Sequence, residues 1–209
     1  MNQHYFSAEP SGVGEPRTVR FSAYGREYEL GSASNVFAAD RLDLGTAVLF
    51  RYAPSPAAGR ADGAAGPGHG TYLDLGCGYG PIGCVLATES PAATVWAVDV
   101  NQRALDLTRQ NADRLGLSGR IRVASPEQVP DDVRFDLIWS NPPVRIGKAA
   151  LRDLLETWLT RLTVSGEAWL VVGKNLGSDS LQRWLAESGW SADRAGSAKG
   201  FRVLRVTRR

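Results

Sequence analysis

The sequence predicts an α/β fold with a doubly wound sheet, and three observations support this prediction. From residue 71 onward, short apolar runs alternate with segments whose apolar residues recur at helical spacing. One apolar run passes into such a segment through a glycine-rich stretch, and the last two runs have no helical segment between them. The alternation predicts parallel strands with helices on both faces, while the missing crossover predicts a final antiparallel hairpin.

The elements after residue 71 follow from this periodicity. Strands are expected at 71–75, 94–99, 120–124, 135–140 and 166–172, followed by a hairpin of strands at 190–196 and 201–206. Helices are expected at about 81–89, 101–115, 148–163 and 177–188. Together these elements predict one seven-stranded sheet, formed by residues 71–209. Trp139 falls within a strand and is expected in the core.

The residues before this sheet predict a small hairpin and one helix. Arg17 to Gly31 indicates two short strands around Gly25, and apolar residues at helical spacing then indicate a helix that begins near Gly45 and Thr46. Residues 1–53 are therefore expected to pack on the main domain. Residues 54–70 are rich in Gly, Ala and Pro and predict a flexible surface loop, so the chain is expected to form one domain overall.

Composition restricts the functions that the chain can have. The 209 residues include 43% hydrophobic ones and carry a net charge of +2, which leaves the partner open. Cys77 and Cys84 lack CxxC spacing, and His4 and His69 have no neighbours at ligand spacing, so no metal site is expected. The first residues do not resemble a signal peptide, and no apolar stretch is long enough for a bilayer. A cytoplasmic protein without membrane contact is expected, and its oligomeric state is left open.

The stretch LDLGCGYGPIG, residues 73–83, indicates a site for a nucleotide-like cofactor. Glycines at 76, 78 and 80 allow a sharp turn and close approach of the backbone to a ligand, and Pro81 suits the first turn of a helix. Gly78, Gly80 and Gly83 also satisfy the dinucleotide pattern GxGxxG, with Asp99 about 20 residues downstream. NAD and S-adenosylmethionine are therefore both candidates at this point.

Two features favour S-adenosylmethionine. Asp74 precedes the first glycine by two residues, where a carboxylate attracts the ammonium of the cofactor's amino-acid part but gains nothing beside a pyrophosphate. Asn141-Pro-Pro follows the fourth strand, whereas no hydride-transfer apparatus is evident. Asp99 suits ribose hydroxyls with either cofactor, so an NAD-binding protein that is not a methyltransferase remains a distant alternative.

The motifs DLGCGYG (74–80) and SNPP (140–143), with Asp99 between them, resemble a class I S-adenosylmethionine-dependent methyltransferase that methylates amines. The resemblance implies a Rossmann-like sheet with an antiparallel last strand. It also implies that the cofactor is bound by nine residues: Asp74, Gly76, Cys77, Gly78, Gly80, Asp99, Val100, Ser125 and Asn141. No metal is implied.

The resemblance implies that Asn141, Pro142 and Pro143 are the catalytic residues. The lone pair of a conjugated amine is delocalised, so two hydrogen-bond acceptors are needed to align the nitrogen and to stabilise the developing charge. The Asn141 side-chain oxygen and the Pro142 carbonyl would be these acceptors. Prolines restrict the backbone, so the acceptors are held in place before substrate binds.

The residues around this turn are similar to a small, single-domain subgroup related to the RsmC-type ribosomal RNA guanine-N2 methyltransferases. HYFSAEP, DLGT (43–46), GKNLG (173–177) and KGFRV (199–203) carry this likeness, although RsmC-type enzymes have an additional domain in front. Val144 stands where many relatives have a stacking aromatic residue. Phe37, Val144, Arg145 and Lys148 are the expected substrate-binding residues. Either Phe37 or a tryptophan would supply the missing aromatic ring, and Phe37 is favoured.

The expected partner is ribosomal RNA or a ribosomal subunit, methylated at guanine N2. Basic residues near the turn and the later loops could contact phosphates: Arg152, Lys174, Lys199, Arg202 and Arg205. The amide of a protein glutamine and the amine of a small molecule remain alternative substrates, because the same acceptors suit any planar nitrogen.

Overall fold

The computed structural model of the protein describes residues 16–33, 40–58, 69–143 and 146–209. The strands are β1 (Pro16–Ala23), β2 (Arg26–Ala33), β3 (His69–Leu75), β4 (Ala92–Val98), β5 (Ile121–Ala124), β6 (Phe135–Ser140), β7 (Leu162–Gly173), β8 (Trp190–Ala198) and β9 (Phe201–Arg208). The helices are α1 (Leu44–Tyr52), α2 (Pro81–Glu89), α3 (Gln102–Arg114), α4 (Lys148–Leu159) and α5 (Ser178–Glu187). The predicted α/β architecture is confirmed.

The seven-stranded sheet has the order β5-β4-β3-β6-β7-β9-β8. Strands β3 to β7 are parallel, and β9 is antiparallel to both of its neighbours. The predicted final hairpin is therefore confirmed, and β8 runs in the same direction as β7. The carboxyl ends of β3, β4, β5, β6 and β7 meet at one edge, which is the edge where ligands bind in sheets of this kind.

Apolar side chains cover both faces of this sheet. One core cluster joins the sheet to the β1-β2 hairpin and to α1, α2 and α3, while the second joins it to α4 and α5. Trp139 is 1% exposed, as expected, and it contacts the rings of Tyr24 and Phe50. The hairpin therefore shares a core with the sheet.

The buried side chain of Asn111 holds the hairpin in place. Its Oδ1 accepts from Gly31 N at 2.7 Å, and its Nδ2 donates to Gly31 O and to Tyr79 O, each at 2.8 Å. Tyr79 belongs to the glycine-rich stretch before α2. One amide in α3 thus links the hairpin to the loop that the sequence assigns to a cofactor.

Helix α4 ends earlier than the sequence predicted. The predicted end at residue 163 is wrong, because the helix ends at Leu159 and Leu162 already pairs with Phe135 in the sheet. The pairing register between β6 and β7 shifts after this pair. Gly166 lies so close to β6 that a Cβ on it would be 2.8 Å from Phe135 O. The apolar spacing of the helix continued into the strand, so periodicity alone could not locate the boundary.

Candidate active site

The glycine-rich loop is attached to the end of β4 by its backbone. Gly76 N and Cys77 N donate to Val98 O at 2.8 and 3.0 Å. Gly76, Gly78 and Gly80 have φ angles of 76°, 57° and 91°, which L side chains rarely adopt. No atom of the described residues lies within 4 Å of the position that a Cβ on Gly78 would take, so with respect to these residues its outer side faces open space at the carboxyl edge.

Asp74, the last residue but one of β3, is fully buried under this loop. Its Oδ2 accepts from Gly83 N at 2.7 Å, whereas its Oδ1 has no hydrogen-bond partner in the part of the chain that the structure describes. Burial raises the pKa of Asp74 to about 8, the Gly83 bond opposes this effect, and the charge of Asp99 adds to it. A cation beside Oδ1 would remove the cost of ionising this carboxyl group. Among the buried unpartnered atoms of the described residues, this is the one carboxylate oxygen.

Asp99 follows β4 and holds the turn between the loop and α3. Its Oδ2 accepts from Gly78 N and its Oδ1 from Asn101 N, both at 2.9 Å. Burial raises its pKa, and these two bonds oppose that effect. Each oxygen keeps a lone pair for a further donor, as binding to two ribose hydroxyls requires. Val100 next to it is 52% exposed, an apolar surface suited to an adenine ring.

Ser125 and Cys77 already have partners within the protein. Ser125 follows β5, where its Oγ donates to Glu127 Oε1 at 2.6 Å and its N donates to Gln128 Oε1 at 2.9 Å. The Cys77 thiol is buried 3.6 Å from Thr108 Oγ1, and burial raises its pKa. Cofactor binding by these two residues stays a prediction, and the contacts of Cys77 indicate a role in shaping the loop.

Asn141 follows β6, and its amide group is held in one orientation. Its Nδ2 donates to Asp43 Oδ2 at 2.6 Å and to Thr46 Oγ1 at 3.2 Å. An ionised carboxylate can only accept hydrogen bonds, so the NH₂ of the amide must face Asp43 and Oδ1 must face away. This orientation leaves Oδ1 as an acceptor, which is the role expected of Asn141.

Pro143, the second proline after Asn141, approaches the glycine loop. Pro142 is buried, and Pro143 O accepts a hydrogen bond from Ile146 N at 3.1 Å. Pro143 Cδ is 3.8 Å from the position of a Cβ on Gly76, and Ser140 Oγ donates to Leu75 O at 2.7 Å. The structure therefore brings the Asn-Pro-Pro turn and the cofactor loop side by side.

Sequence reasoning missed two groups beside Asn141. Asp43 caps α1 by accepting from Thr46 N at 3.1 Å with the same oxygen that binds Asn141. Phe201 begins β9, and a Cβ on Gly45 would be 3.0 Å from its ring and 3.1 Å from Asn141 Oδ1. The spacing of Asp43 and Thr46 suggests a helix cap, but no local pattern indicates the contact with Asn141 or the approach of Phe201.

Lys148 is the first residue of α4 and is exposed, as a substrate contact requires. Phe37, Val144 and Arg145, the other expected substrate-binding residues, lie outside the described residues. The described ranges contain no group of His, Cys, Asp and Glu side chains that could hold a metal ion. No helix among them is long and apolar enough to cross a membrane.

Comparison with known proteins connects this geometry to a family. Residues 27–205 match the model of the methyltransferase small domain. The uncharacterized protein YbxB of Bacillus subtilis is 30% identical over 209 residues, which cover 99% of this chain and 98% of that protein. Ribosomal RNA small subunit methyltransferase C of Acinetobacter baumannii is 30% identical over 166 residues, 77% of this chain and 46% of that enzyme.

A solved structure shares the fold. The Thermus thermophilus 16S rRNA N2 G1207 methyltransferase (RsmC), in complex with AdoMet and guanosine, superposes with a TM-score of 0.72 at 21% identity, over 97% of this chain and 53% of that one. The chain thus spans about half the length of the RsmC-type proteins that it matches. It belongs to the methyltransferase small domain family, within the class I S-adenosylmethionine-dependent methyltransferases.

Proposed function

We propose that this methyltransferase transfers the methyl group of S-adenosylmethionine to the exocyclic N2 amine of a guanine in small-subunit ribosomal RNA. The observation that carries the proposal is the fixed amide of Asn141, whose Oδ1 faces away from Asp43 and accepts from no donor among the described residues. Relatives that are named as small-subunit ribosomal RNA methyltransferases support the choice of substrate. Such a substrate is found in the cytoplasm, where the enzyme is then expected to act.

The buried carboxylate of Asp74 would hold the cofactor's ammonium, because its free Oδ1 lacks a partner of opposite charge. Asp99 would accept from the ribose hydroxyls, and the exposed side chain of Val100 would cover one face of the adenine. When bound, S-adenosylmethionine supplies a methyl group on a positively charged sulfur. The open side of Gly78 leaves room for a ligand at this edge.

Asn141 would bind and orient the guanine amine that attacks the methyl group. Its Oδ1 accepts a hydrogen bond from the amine, and a second acceptor, the Pro142 carbonyl, would fix the remaining N–H. Two acceptors orient the nitrogen lone pair and stabilise the positive charge that develops on the nitrogen during methyl transfer. The proton is then released to water. Asp43 and Thr46 would contribute by preventing rotation of the amide.

The test is methyl transfer from radiolabelled S-adenosylmethionine into small ribosomal subunits, or their free RNA, from cells that lack this protein. We expect label in the RNA, with N2-methylguanosine as the labelled nucleoside, and we expect little label with the Asn141→Ala variant. Label in ribosomal protein would support the glutamine alternative. Label in another nucleoside would contradict the guanine N2 assignment while retaining RNA as the substrate.

A further inference from the structure

The chain contains three lysines among its 24 basic residues, and all three lie at the carboxyl edge of the sheet. Lys148 begins α4 after the Asn-Pro-Pro turn, Lys174 directly follows β7, and Lys199 lies in the turn between β8 and β9. All three side chains are exposed. We refer to Lys148, Lys174 and Lys199 as the lysine rim.

Contacts between the three segments connect this rim to the candidate active site. Lys174 N donates to Gly200 O at 2.7 Å, which joins the segment after β7 to the β8-β9 turn. The methylene next to the Lys148 amine lies 3.5 Å from the position of a Cβ on Gly177, in the turn before α5. Phe201, adjacent to Gly200, reaches Gly45 beside Asn141. The segments that carry the rim are therefore linked by contacts to the residues beside Asn141.

The lysines are available to a ligand, whereas nearby arginines are engaged within the protein. No acidic residue occurs within four positions of any of the three lysines, and none of them forms an ion pair in the part of the chain that the structure describes. In contrast, Arg202 pairs with Asp179, Arg205 pairs with Glu167, and Arg152 lies over the ring of Trp184. Among these six basic side chains, the three of the lysine rim are therefore the ones left available to a ligand.

We propose that the lysine rim binds the phosphates of an unpaired RNA strand and thereby presents one of its bases to Asn141. This inference rests on the proposed function, since it assumes a base as the methyl acceptor. A base in a helix is stacked and its amine is paired, so the target nucleotide must leave the stack to reach an acceptor at the edge of a sheet. Three flexible ammonium groups on separate segments suit the phosphates that flank such a nucleotide.

The experiment compares two triple variants with the wild-type protein. In the first, Lys148, Lys174 and Lys199 are replaced by Gln. In the control, the exposed residues Arg20, Arg134 and Arg194 are replaced by Gln, which removes the same charge elsewhere. Binding of a fluorescently labelled oligouridylate is measured over a series of salt concentrations, together with S-adenosylmethionine affinity and melting temperature.

Each phosphate contact to a single strand contributes about −0.7 to the slope of log affinity against log salt. We expect the lysine variant to flatten the slope by about 2, for about three lost contacts. The control should keep the wild-type slope, and both variants should retain cofactor affinity and melting temperature. An equal slope in the lysine variant and the wild-type protein, or an equal loss in the control, overturns the inference.

The same variants separate this inference from the proposed function. If the lysine variant methylates ribosomal RNA efficiently and its salt slope is unchanged, the proposed function is supported and phosphate binding by the lysine rim is contradicted. A second outcome is a flattened slope in the lysine variant together with no methyl transfer to ribosomal RNA by the wild-type protein. This outcome would support RNA binding by the lysine rim and contradict ribosomal RNA as the substrate. Wild-type protein that methylates an acidic protein and does not bind oligouridylate would reject both.

Discussion

The carboxylate of Asp43 accepts a hydrogen bond of 2.6 Å from the amide nitrogen of Asn141, 98 positions later in the chain. The same oxygen caps helix α1 through Thr46 N. One side chain thus fixes the start of a helix and the orientation of the candidate catalytic amide. The two roles can be separated by substitution.

Asp43→Ser retains a helix-capping oxygen but is too short to hold the Asn141 amide as well. We expect methyl transfer to small-subunit ribosomal RNA to fall by about 10- to 100-fold, because misplacement of a reacting group has costs of this size. The melting temperature should stay close to that of the wild-type protein, since Ser is a good N-cap residue. Single-turnover rates and thermal melts test both expectations. The control is Asp40→Ser, an exposed position before the same helix, and equal rates in the two variants would contradict the role of Asp43.

Asn141→Ala removes the proposed acceptor itself. We expect the methyl-transfer rate to fall by about 100-fold or more, as is typical when one preorganised hydrogen-bonding group is deleted at a reacting centre. Cofactor affinity, measured by calorimetry, should remain near the wild-type value because Asp74 and Asp99 are unchanged. Undiminished methylation at normal cofactor affinity would refute this assignment.

Asp74 should make the ligand-free protein less stable as the pH rises. Its pKa is raised from 3.8 to about 8, so between these values the folded protein holds a proton that the unfolded chain has lost. Stability therefore falls as pH increases across this window, by linkage. Asp74→Asn has no proton to lose and can still accept from Gly83 N, so its stability should depend less on pH. The test is to measure the melting temperatures of the wild-type protein and of Asp74→Asn from pH 4 to pH 8. If the two melting temperatures change with pH in parallel, the expectation is contradicted.

Cofactor binding should also release a proton through Asp74. Below pH 8 the carboxyl group is protonated in the free enzyme, and the incoming ammonium favours its ionised form. Calorimetric titrations of S-adenosylmethionine at pH 7, in buffers with different ionisation enthalpies, should therefore show proton release by the wild-type protein. The release should be absent in Asp74→Asn.

Gly78 and Gly80 form a matched pair in the cofactor loop. Both have positive φ, so Ala costs about 1 kcal/mol at either position for backbone strain. A Cβ on Gly80 would also be 2.9 Å from the Thr108 side chain, whereas Gly78 faces open space. We therefore expect Gly80→Ala to lower the free energy of unfolding by about 1–3 kcal/mol more than Gly78→Ala does, as measured by urea denaturation. Gly78→Ala should instead weaken cofactor binding, and equal stability losses would contradict the difference in packing.

Asn111→Ala should loosen the attachment of the hairpin. The substitution leaves Gly31 and Tyr79 backbone groups without partners, which should lower the free energy of unfolding by about 2–3 kcal/mol. The amide of Gly31 should also exchange its hydrogen faster. Gln110→Ala, at an exposed position of the same helix, is the control and should change stability by less than about 0.5 kcal/mol. A wild-type exchange rate at Gly31 would show that the other contacts of the hairpin, its apolar packing and the Arg26–Glu89 ion pair among them, hold it without Asn111.

Much of the fold could be predicted because strands and helices leave periodic patterns in the sequence. The predicted ends of β3, which contains Asp74, and of β6, which precedes Asn141, lie within two residues of the observed ends. The order of the motifs also predicted that Asp74 and Asn141 lie at the same edge of the sheet. The end of α4 was missed because Leu159 and Leu162 keep the helical spacing across the boundary.

The details of the site depend on contacts that no local pattern encodes. The pairing of Asp43 with Asn141 joins a cap before one helix to a turn far along the chain, so it required the tertiary structure. Gly83 is a second example, because its place in GxGxxG suggested a dinucleotide. In the structure its backbone N–H binds Asp74, and a Cβ there would lie 3.2 Å from that carboxylate. The third glycine of the motif therefore serves Asp74 directly.

The position of β9 between β7 and β8 has a consequence for synthesis on the ribosome. Strand β3, which carries Asp74, and strands β4 and β6, which precede Asp99 and Asn141, emerge early, but β7 and β8 cannot be joined until residues 201–208 have left the exit tunnel. During this interval the nascent chain exposes an unpaired edge of β7, which is the kind of edge that other chains can bind. Completion of the sheet therefore depends on β9, the last of its strands in chain order, and a chain stalled before Phe201 should be a substrate for chaperones.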